Sequence, residues 1–137
     1  MYTHYWKTPK PLSAVAWGAI KSAAVLIVDA SEVPVESKIA CHLISINGIG
    51  DDAHEDFDYS PDPDFDPFNE SATSFEFCKT SRKPYDEIVA AILLVAAETG
   101  EVIVTSDGIG EDGHDQEWDT AHALAERALE REVEKLW

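Results

Sequence analysis

The chain has 137 residues, 45% of them hydrophobic and 27% charged, a composition typical of one globular domain and not of a disordered chain. It carries 27 acidic against 10 basic residues, and its formal net charge of −17 repels the phosphates of nucleic acids and of anionic membranes. Direct binding to nucleic acid or to a membrane is therefore not expected, whereas basic proteins and metal cations are suitable partners.

The first half of the chain predicts one helix and three strands. Residues 2–6 are aromatic and β-prone, which predicts a strand, and the Ala-rich stretch 12–30 predicts a helix with an apolar stripe. Polar and apolar residues alternate in 39–47 and in 53–59, and the glycines between these segments predict a β-hairpin. Residues 60–73 are rich in Pro and Asp and are expected to form a surface loop.

The next segments predict a strand followed by a strongly apolar helix. Residues 73–79 form the strand, with Phe75 and Phe77 expected to point inward. Asp86 is a suitable N-cap for the helix, which extends to Glu98 and is followed by a glycine that can end it.

The last strand is predicted at 102–104 and the final helix at 118–136, with a loop rich in Gly and Asp between them. The element order is then β-α-β-β-β-α-β-α, within a single domain of residues 1–137. This order predicts an α+β fold in which helices pack on a mostly antiparallel sheet. An elaborated ferredoxin-like split βαβ arrangement is the expected topology.

Cysteine usage and the start of the chain indicate a compartment. Cys41 and Cys78 both lie in predicted strands, and both are expected to be buried free thiols in a reducing environment. The chain opens without the basic and apolar regions of a signal peptide, and its longest apolar run, 23–28, is too short to span a bilayer. A cytoplasmic protein is therefore expected.

A turn motif occurs twice, as NGIGDDAH in 47–54 and as DGIGEDGH in 107–114. In each copy, glycines that permit a tight turn precede two acidic residues and a histidine. If both turns lie at one end of the sheet, their carboxylates and imidazoles converge on a divalent metal such as Zn or Mn. The residues of this candidate metal site are Asp52, His54, Asp112 and His114. Turn formation alone also explains the Gly and Asp residues, and in that case no cofactor is implied.

The segment 77–86, FCKTSRKPYD, is the compact basic patch in the middle of the chain. Lys79, Arg82 and the following helix N-terminus predict a site for a phosphate or carboxylate group, and pairing of these bases with surrounding acids is the alternative. Cys78 can serve as a nucleophile only if a base such as His42 or His54 lies nearby, and an inert buried thiol is the alternative.

The aromatic start of the chain, residues 4–6, has the composition of a platform on which nucleic-acid bases stack. The net charge disfavours that function. Packing in the core or at a sheet edge is the better explanation for Tyr5 and Trp6.

The motifs THYW (3–6), NGIGDDAHE (47–55), FCKTSRKPYD (77–86) and SDG (106–108) together resemble a family of small uncharacterised bacterial and phage-borne proteins. The resemblance implies no activity, but it implies that the GDDAHE and FCKTSRKPYD segments act together. Members of that family lack a histidine matching His114, which weakens the metal-site interpretation. The candidate catalytic or binding residues that follow from the resemblance are His54, Glu55, Lys79, Arg82 and Asp86.

Two functional hypotheses from different classes follow. In the first, an acidic surface engages a basic or nucleic-acid-handling protein, as a phage-borne inhibitor of host defence would. In the second, the protein binds a small ligand or is a metal-dependent enzyme, with His54 and Glu55 as acid–base or metal groups and an anionic substrate held by bases. The charge pattern favours the first, because residues 39–78 contain ten acidic residues and no Lys or Arg. A structural subunit of a larger assembly is a third possibility.

Overall fold

The computed structural model describes residues 2–61 and 74–137, so the surface loop predicted for 60–73 falls largely outside the described residues. Its elements, in chain order, are β1 (Thr3–Thr8), α1 (Ala14–Ala30), β2 (Glu36–Ile39), β3 (Ile44–Asn47), a 3₁₀ turn (Gly50–Asp52), β4 (Phe57–Tyr59), β5 (Ser74–Lys79), α2 (Asp86–Glu98), β6 (Ile103–Ser106), β7 (Ile109–Gly110), β8 (Gly113–His114) and α3 (Gln116–Leu129). The predicted α+β class is confirmed. None of the described helices combines the length and the hydropathy that crossing a membrane requires.

Strand β1 is the centre of a three-stranded sheet of order β5-β1-β6, and both neighbours are antiparallel to it. Because β5 and β6 therefore run parallel to each other and α2 connects them, these strands and α2 form the predicted split βαβ unit. Strands β2, β3 and β4 form a second antiparallel sheet, and β7 and β8 form a short ribbon.

The core lies between the helices and the inner faces of the two sheets. Helix α2 is buried along the whole of 88–96, as its unbroken apolar run predicts, and α3 packs against both α1 and α2. Aromatic rings connect the sheets, because Trp6 of β1 stacks on Tyr59 of β4 at 5.6 Å between ring centroids. Burial of such large rings contributes strongly to the stability of the core.

The single strand predicted for 39–47 is wrong in its extent. The segment contains the end of β2 and all of β3, which pair as a hairpin with residues 40–43 as the turn. Cys41 lies in this turn and is exposed, so the expected buried thiol is found only at Cys78. The predicted pairing of this segment with the strand in 53–59 is confirmed, since β3 pairs with β4.

The predicted facing of β5 is also wrong. Phe75 and Phe77 are 53% and 46% exposed, whereas Cys78 is fully buried. The register explains this inversion, because Cys78 lies opposite the buried His4 of β1 and both point to the inner face of the sheet.

Asp86 does not cap α2 as predicted. The N-cap position belongs to Tyr85, and no side chain makes a capping hydrogen bond there. Asp86 is instead the first helical residue, and its side chain is buried.

The final helix ends earlier than predicted, at Leu129, because Glu130 adopts a left-handed conformation with φ of 53°. The tail is held by Glu98 of α2, which pairs with the Arg131 guanidinium at 3.0 Å and accepts a hydrogen bond from the Glu134 amide. These contacts return the chain towards the core.

Candidate functional site

A buried hydrogen-bond network lies at one end of the β5-β1-β6 sheet, where β1 begins, β6 ends and α2 starts. The ring of His4 is fully buried, with Nε2 2.6 Å from Asp86 Oδ1 and Nδ1 2.8 Å from Ser106 Oγ. The Thr80 hydroxyl donates to the same oxygen of Asp86. Residues that are 82 and 102 positions apart along the chain thus share one network.

The donors around Ser106 assign the direction of these hydrogen bonds. Its Oγ accepts from Trp118 Nε1 at 3.1 Å and from the Gly108 amide at 3.0 Å, which occupies both hydroxyl lone pairs. The Ser106 hydroxyl therefore donates to His4 Nδ1, so the ring carries its proton on Nε2 and donates it to Asp86. The hydrogen bonds therefore run from Ser106 to His4 and from His4 to the Asp86 carboxylate.

Asp86 is only 3% exposed, and its position at the N-terminus of α2 favours a carboxylate there. Its Oδ1 accepts two hydrogen bonds, from His4 and Thr80. Its Oδ2 is buried, and no described residue donates a hydrogen bond to it. The pairing with His4 is therefore the main compensation for burying this carboxylate.

A serine, a histidine and an aspartate that are joined by hydrogen bonds in this order are also the components of an acyl-transfer site. A nucleophilic serine needs an accessible oxygen with a free lone pair, whereas Ser106 is buried and both of its lone pairs accept hydrogen bonds. This geometry gives the three residues a structural role and does not support hydrolysis at Ser106.

Two aromatic rings enclose His4. The Tyr2 and Trp118 rings both meet the imidazole edge-on, at centroid distances of 5.2 and 5.1 Å. Burial raises the pKa of Tyr2 above its ordinary value, and the negative charge of Asp86 raises it further. A Cβ at Gly108 would lie 2.0 Å from the Tyr2 hydroxyl oxygen, so the glycine is required for this close packing.

Arg82 covers the network on its solvent side. Its guanidinium lies 4.1 Å from the centroid of the Tyr2 ring and pairs with Asp115 at 2.8 Å and Glu117 at 2.6 Å. The hydrogen bonds that Arg82 donates to Glu117 and Asp115 raise the pKa of its guanidinium. The backbone of Ser81 and Arg82 is left-handed, with φ of 53° and 57°, an uncommon conformation for residues other than glycine.

A hollow of about 160 Å³ adjoins this cover. It is lined by Arg82, Lys83, Pro84, Asp86, Glu87, Glu117 and Thr120. The Lys83 ammonium donates to the carbonyl of Asp51, which ties this loop to the 3₁₀ turn.

The five candidate residues derived from the family resemblance divide into two groups. His54, Glu55 and Lys79 meet at the end of β5, where His54 Nδ1 lies 2.6 Å from the Lys79 carbonyl oxygen and the Lys79 amide donates to Glu55 Oε1 at 3.3 Å. Arg82 and Asp86 line the hollow instead. The two motif segments do adjoin each other, since the Tyr85 hydroxyl donates to the Glu55 carbonyl at 2.6 Å.

The candidate metal residues, Asp52, His54, Asp112 and His114, take separate places. In the part of the chain that the structure describes, no three His, Cys, Asp or Glu side chains are grouped so that they could hold a metal. His54 lies against Lys79, and His114 Nε2 is 2.8 Å from Asp119 Oδ1.

Cys78 has the environment of an inert thiol. Its Sγ donates to the Glu55 carbonyl at 3.5 Å, and burial, with a contribution from the Glu55 charge, raises its pKa to about 12. A thiol with so high a pKa is not a nucleophile at neutral pH.

The raised pKa of Cys78 predicts a loss of stability in alkali. The folded state keeps this proton up to about pH 12, whereas the unfolded chain releases it from its ordinary value of 9.0, so rising pH favours unfolding. Between pH 9 and pH 10 the free energy of unfolding is expected to fall by about 1 kcal/mol through this group, because the unfolded thiol is already half ionised at pH 9.

Urea unfolding at the two pH values tests this expectation. Cys78→Ala is expected to flatten the dependence, and Cys41→Ser, which changes the exposed cysteine, is expected to leave it unaltered. If the free energy of unfolding of Cys78→Ala falls with pH as steeply as that of the natural chain, Cys78 is not the group responsible.

The surface outside this network is acidic. Asp86 is the single buried carboxylate among the described residues. Four exposed aspartates, which we call the acidic segment, lie within the motif GDDAHE or just after it: Asp51, Asp52, Asp56 and Asp58. None of the ion pairs within residues 2–61 and 74–137 involves them.

Sequence reasoning missed His4, Thr80 and Ser106. The signal was present in β1, because His4 and Trp6 lie two residues apart and therefore on one face of the strand. Placing Trp6 in the core also places His4 there, and a buried imidazole needs polar partners.

Comparison of the chain with known protein families, with curated proteins and with solved structures found no match.

Proposed function

We propose that this protein is a binding protein whose acidic segment engages a basic partner, in the first instance a protein that handles nucleic acid. Exposed carboxylates without cationic partners present to such a protein the kind of charge that it meets on a phosphate backbone. The resemblance to phage-borne proteins makes inhibition of a host defence protein the specific form of this proposal.

The acidic segment is the observation that carries the proposal. Its four side chains are exposed and are not neutralised by ion pairs in the described part of the chain. The two arginines that form ion pairs in the described residues are engaged elsewhere, Arg82 with Asp115 and Glu117 and Arg131 with Glu98. The acidic segment thus adds a local group of unpaired carboxylates to a chain of net charge −17, which attracts a cationic surface.

The buried network supports this function indirectly. It fixes the loop 80–86 against β1, and Lys83 of that loop holds the 3₁₀ turn that begins the acidic segment. A rigid support reduces the entropy lost when the segment binds.

A bacterial histone-like DNA-binding protein is a suitable basic probe. We expect binding at low salt, detected by calorimetry and by release of the probe from a DNA duplex, and an affinity that falls about tenfold between 50 and 200 mM salt. Changing the four aspartates of the acidic segment to asparagine is expected to weaken binding by about tenfold more.

A matched control changes four exposed acids outside the segment: Asp29→Asn, Glu32→Gln, Glu130→Gln and Glu132→Gln. The control removes the same charge and is expected to bind nearly as well as the natural chain. Equal weakening by the two quadruple variants, or no binding at 50 mM salt, contradicts the proposal.

A further inference from the structure

The outer face of the β5-β1-β6 sheet carries large apolar side chains in two adjacent rows. The register places Phe77 beside Tyr5 in one row, and Phe75 and Ile103 on either side of Lys7 in the next. We call this surface the aromatic face, and its apolar members are Tyr5, Phe75, Phe77 and Ile103.

These side chains are unusually exposed for their size. Phe75 is 53% exposed, Phe77 46% and Ile103 57%, and they lie on the two strands that flank β1. Several large apolar side chains exposed on one face of a sheet make that face a candidate interaction surface.

The aromatic face is also held in place. Tyr5 stacks on Phe75 with ring centroids 5.8 Å apart, and the Tyr5 hydroxyl donates to Asp107 Oδ1 at 3.2 Å. The second oxygen of Asp107 accepts from the Thr3 amide at 3.1 Å. Rings that are ordered before binding lose little entropy on contact with a partner.

Carboxylates border the face at one end, where β1 begins and β5 and β6 finish. Asp107 follows β6, and Glu55 and His54 contact the backbone of Lys79 at the end of β5. Asp56 of the acidic segment follows Glu55 directly in the chain, so the acidic segment approaches the end of β5 at Lys79. An apolar centre with a charged rim is the usual anatomy of a protein–protein interface.

We propose that the aromatic face is the apolar centre of the surface that docks the basic partner, an inference that rests on the proposed function. The partner places aliphatic or aromatic side chains on the rings and directs Lys or Arg side chains to Asp107 and the acidic segment. The stems of Lys7 and Lys79 extend the apolar area, and the Lys79 ammonium already lies 5.6 Å from the Phe77 ring centroid.

A second copy of the chain fits this face less well. Three strands about 4.8 Å apart give roughly 200 Å² of flat sheet, against roughly 800 Å² per partner in a stable interface, so any partner must also cover the acidic surroundings of the face. Two chains of charge −17 also repel each other.

The test changes Phe75→Thr and Phe77→Thr together, which keeps β propensity while removing both rings. The control changes two exposed apolar residues of α1, Val15→Ala and Leu26→Ala. With the histone-like protein as probe, the threonine variant is expected to bind at least about tenfold more weakly with its salt dependence preserved, and the control to bind as the natural chain does. Urea midpoints verify that both variants are folded.

The outcomes separate this inference from the proposed function. Undiminished binding by the threonine variant, with weakened binding by the asparagine variant of the acidic segment, overturns the docking face and leaves the proposed function in place. No binding by the natural chain overturns both. Light scattering that shows a dimer dissociated by the threonine changes assigns the face to a second copy and also overturns the inference.

Discussion

Replacing His4 by alanine is expected to lower the free energy of unfolding by about 3–5 kcal/mol. The change leaves the Asp86 carboxylate buried with one remaining donor, the Thr80 hydroxyl, and removes the acceptor for the Ser106 hydroxyl. Domains of this size are stable by about 5–15 kcal/mol, so a large share of the total is lost. Urea denaturation followed by tryptophan fluorescence measures the difference.

Two comparisons isolate the cause. Thr80→Val removes a neutral donor from Asp86 and keeps the pairing with His4, so a smaller loss of about 1–3 kcal/mol is expected. The double change His4→Leu with Asp86→Leu removes both polar groups and is expected to recover much of the stability lost in His4→Ala. A loss below about 1 kcal/mol in His4→Ala shows that the pair does not stabilise the fold as described.

Replacing Trp118 by alanine is expected to cost about 3–5 kcal/mol by a different route. The indole is fully buried, so its removal leaves a cavity beside His4 and Ala121, and Ser106 loses the donor Nε1. The cavity contributes most of the loss, because close packing allows only partial collapse around it.

Trp137 provides the matched control for this change. It is only partly buried and stacks on His114 with ring centroids 4.3 Å apart, so Trp137→Ala is expected to cost about 1 kcal/mol. Thermal unfolding of both variants beside the natural chain measures the contrast. If Trp118→Ala and Trp137→Ala lower the free energy of unfolding by similar amounts, the prediction that the buried Trp118 contributes more is contradicted.

Local patterns predicted the elements that depend on local physics. The apolar run of α2 and its limits at Asp86 and Glu98 follow from helix periodicity and from the glycine that comes after it. The β-hairpin between β3 and β4 follows from alternation and from a glycine-containing turn. The end of α3 could not be predicted from local sequence patterns, because the tail after it is held by the ion pair between Glu98 and Arg131, which is a tertiary contact.

Facing in β5 and the buried network depend on contacts far apart in sequence. In FEFCK both faces of the strand carry apolar residues, so alternation alone does not select between them. The position of Cys78 opposite His4 selects the face, and that register is a property of the assembled sheet. Asp86 was placed correctly at the start of a helix, yet its role as the partner of His4 depends on how α2 packs against β1.

The central position of β1 also determines when the protein can become native during synthesis. Among the described residues, β1 pairs with β5, which ends at Lys79, and with β6, which ends at Ser106. Until β6 has been translated, β1 lacks one of its two partner strands, and its aromatic residues cannot pack in a complete sheet. The pairing of β1 is therefore completed only after α2 and β6 have been synthesised, so this sheet is built from contacts that are far apart in the sequence.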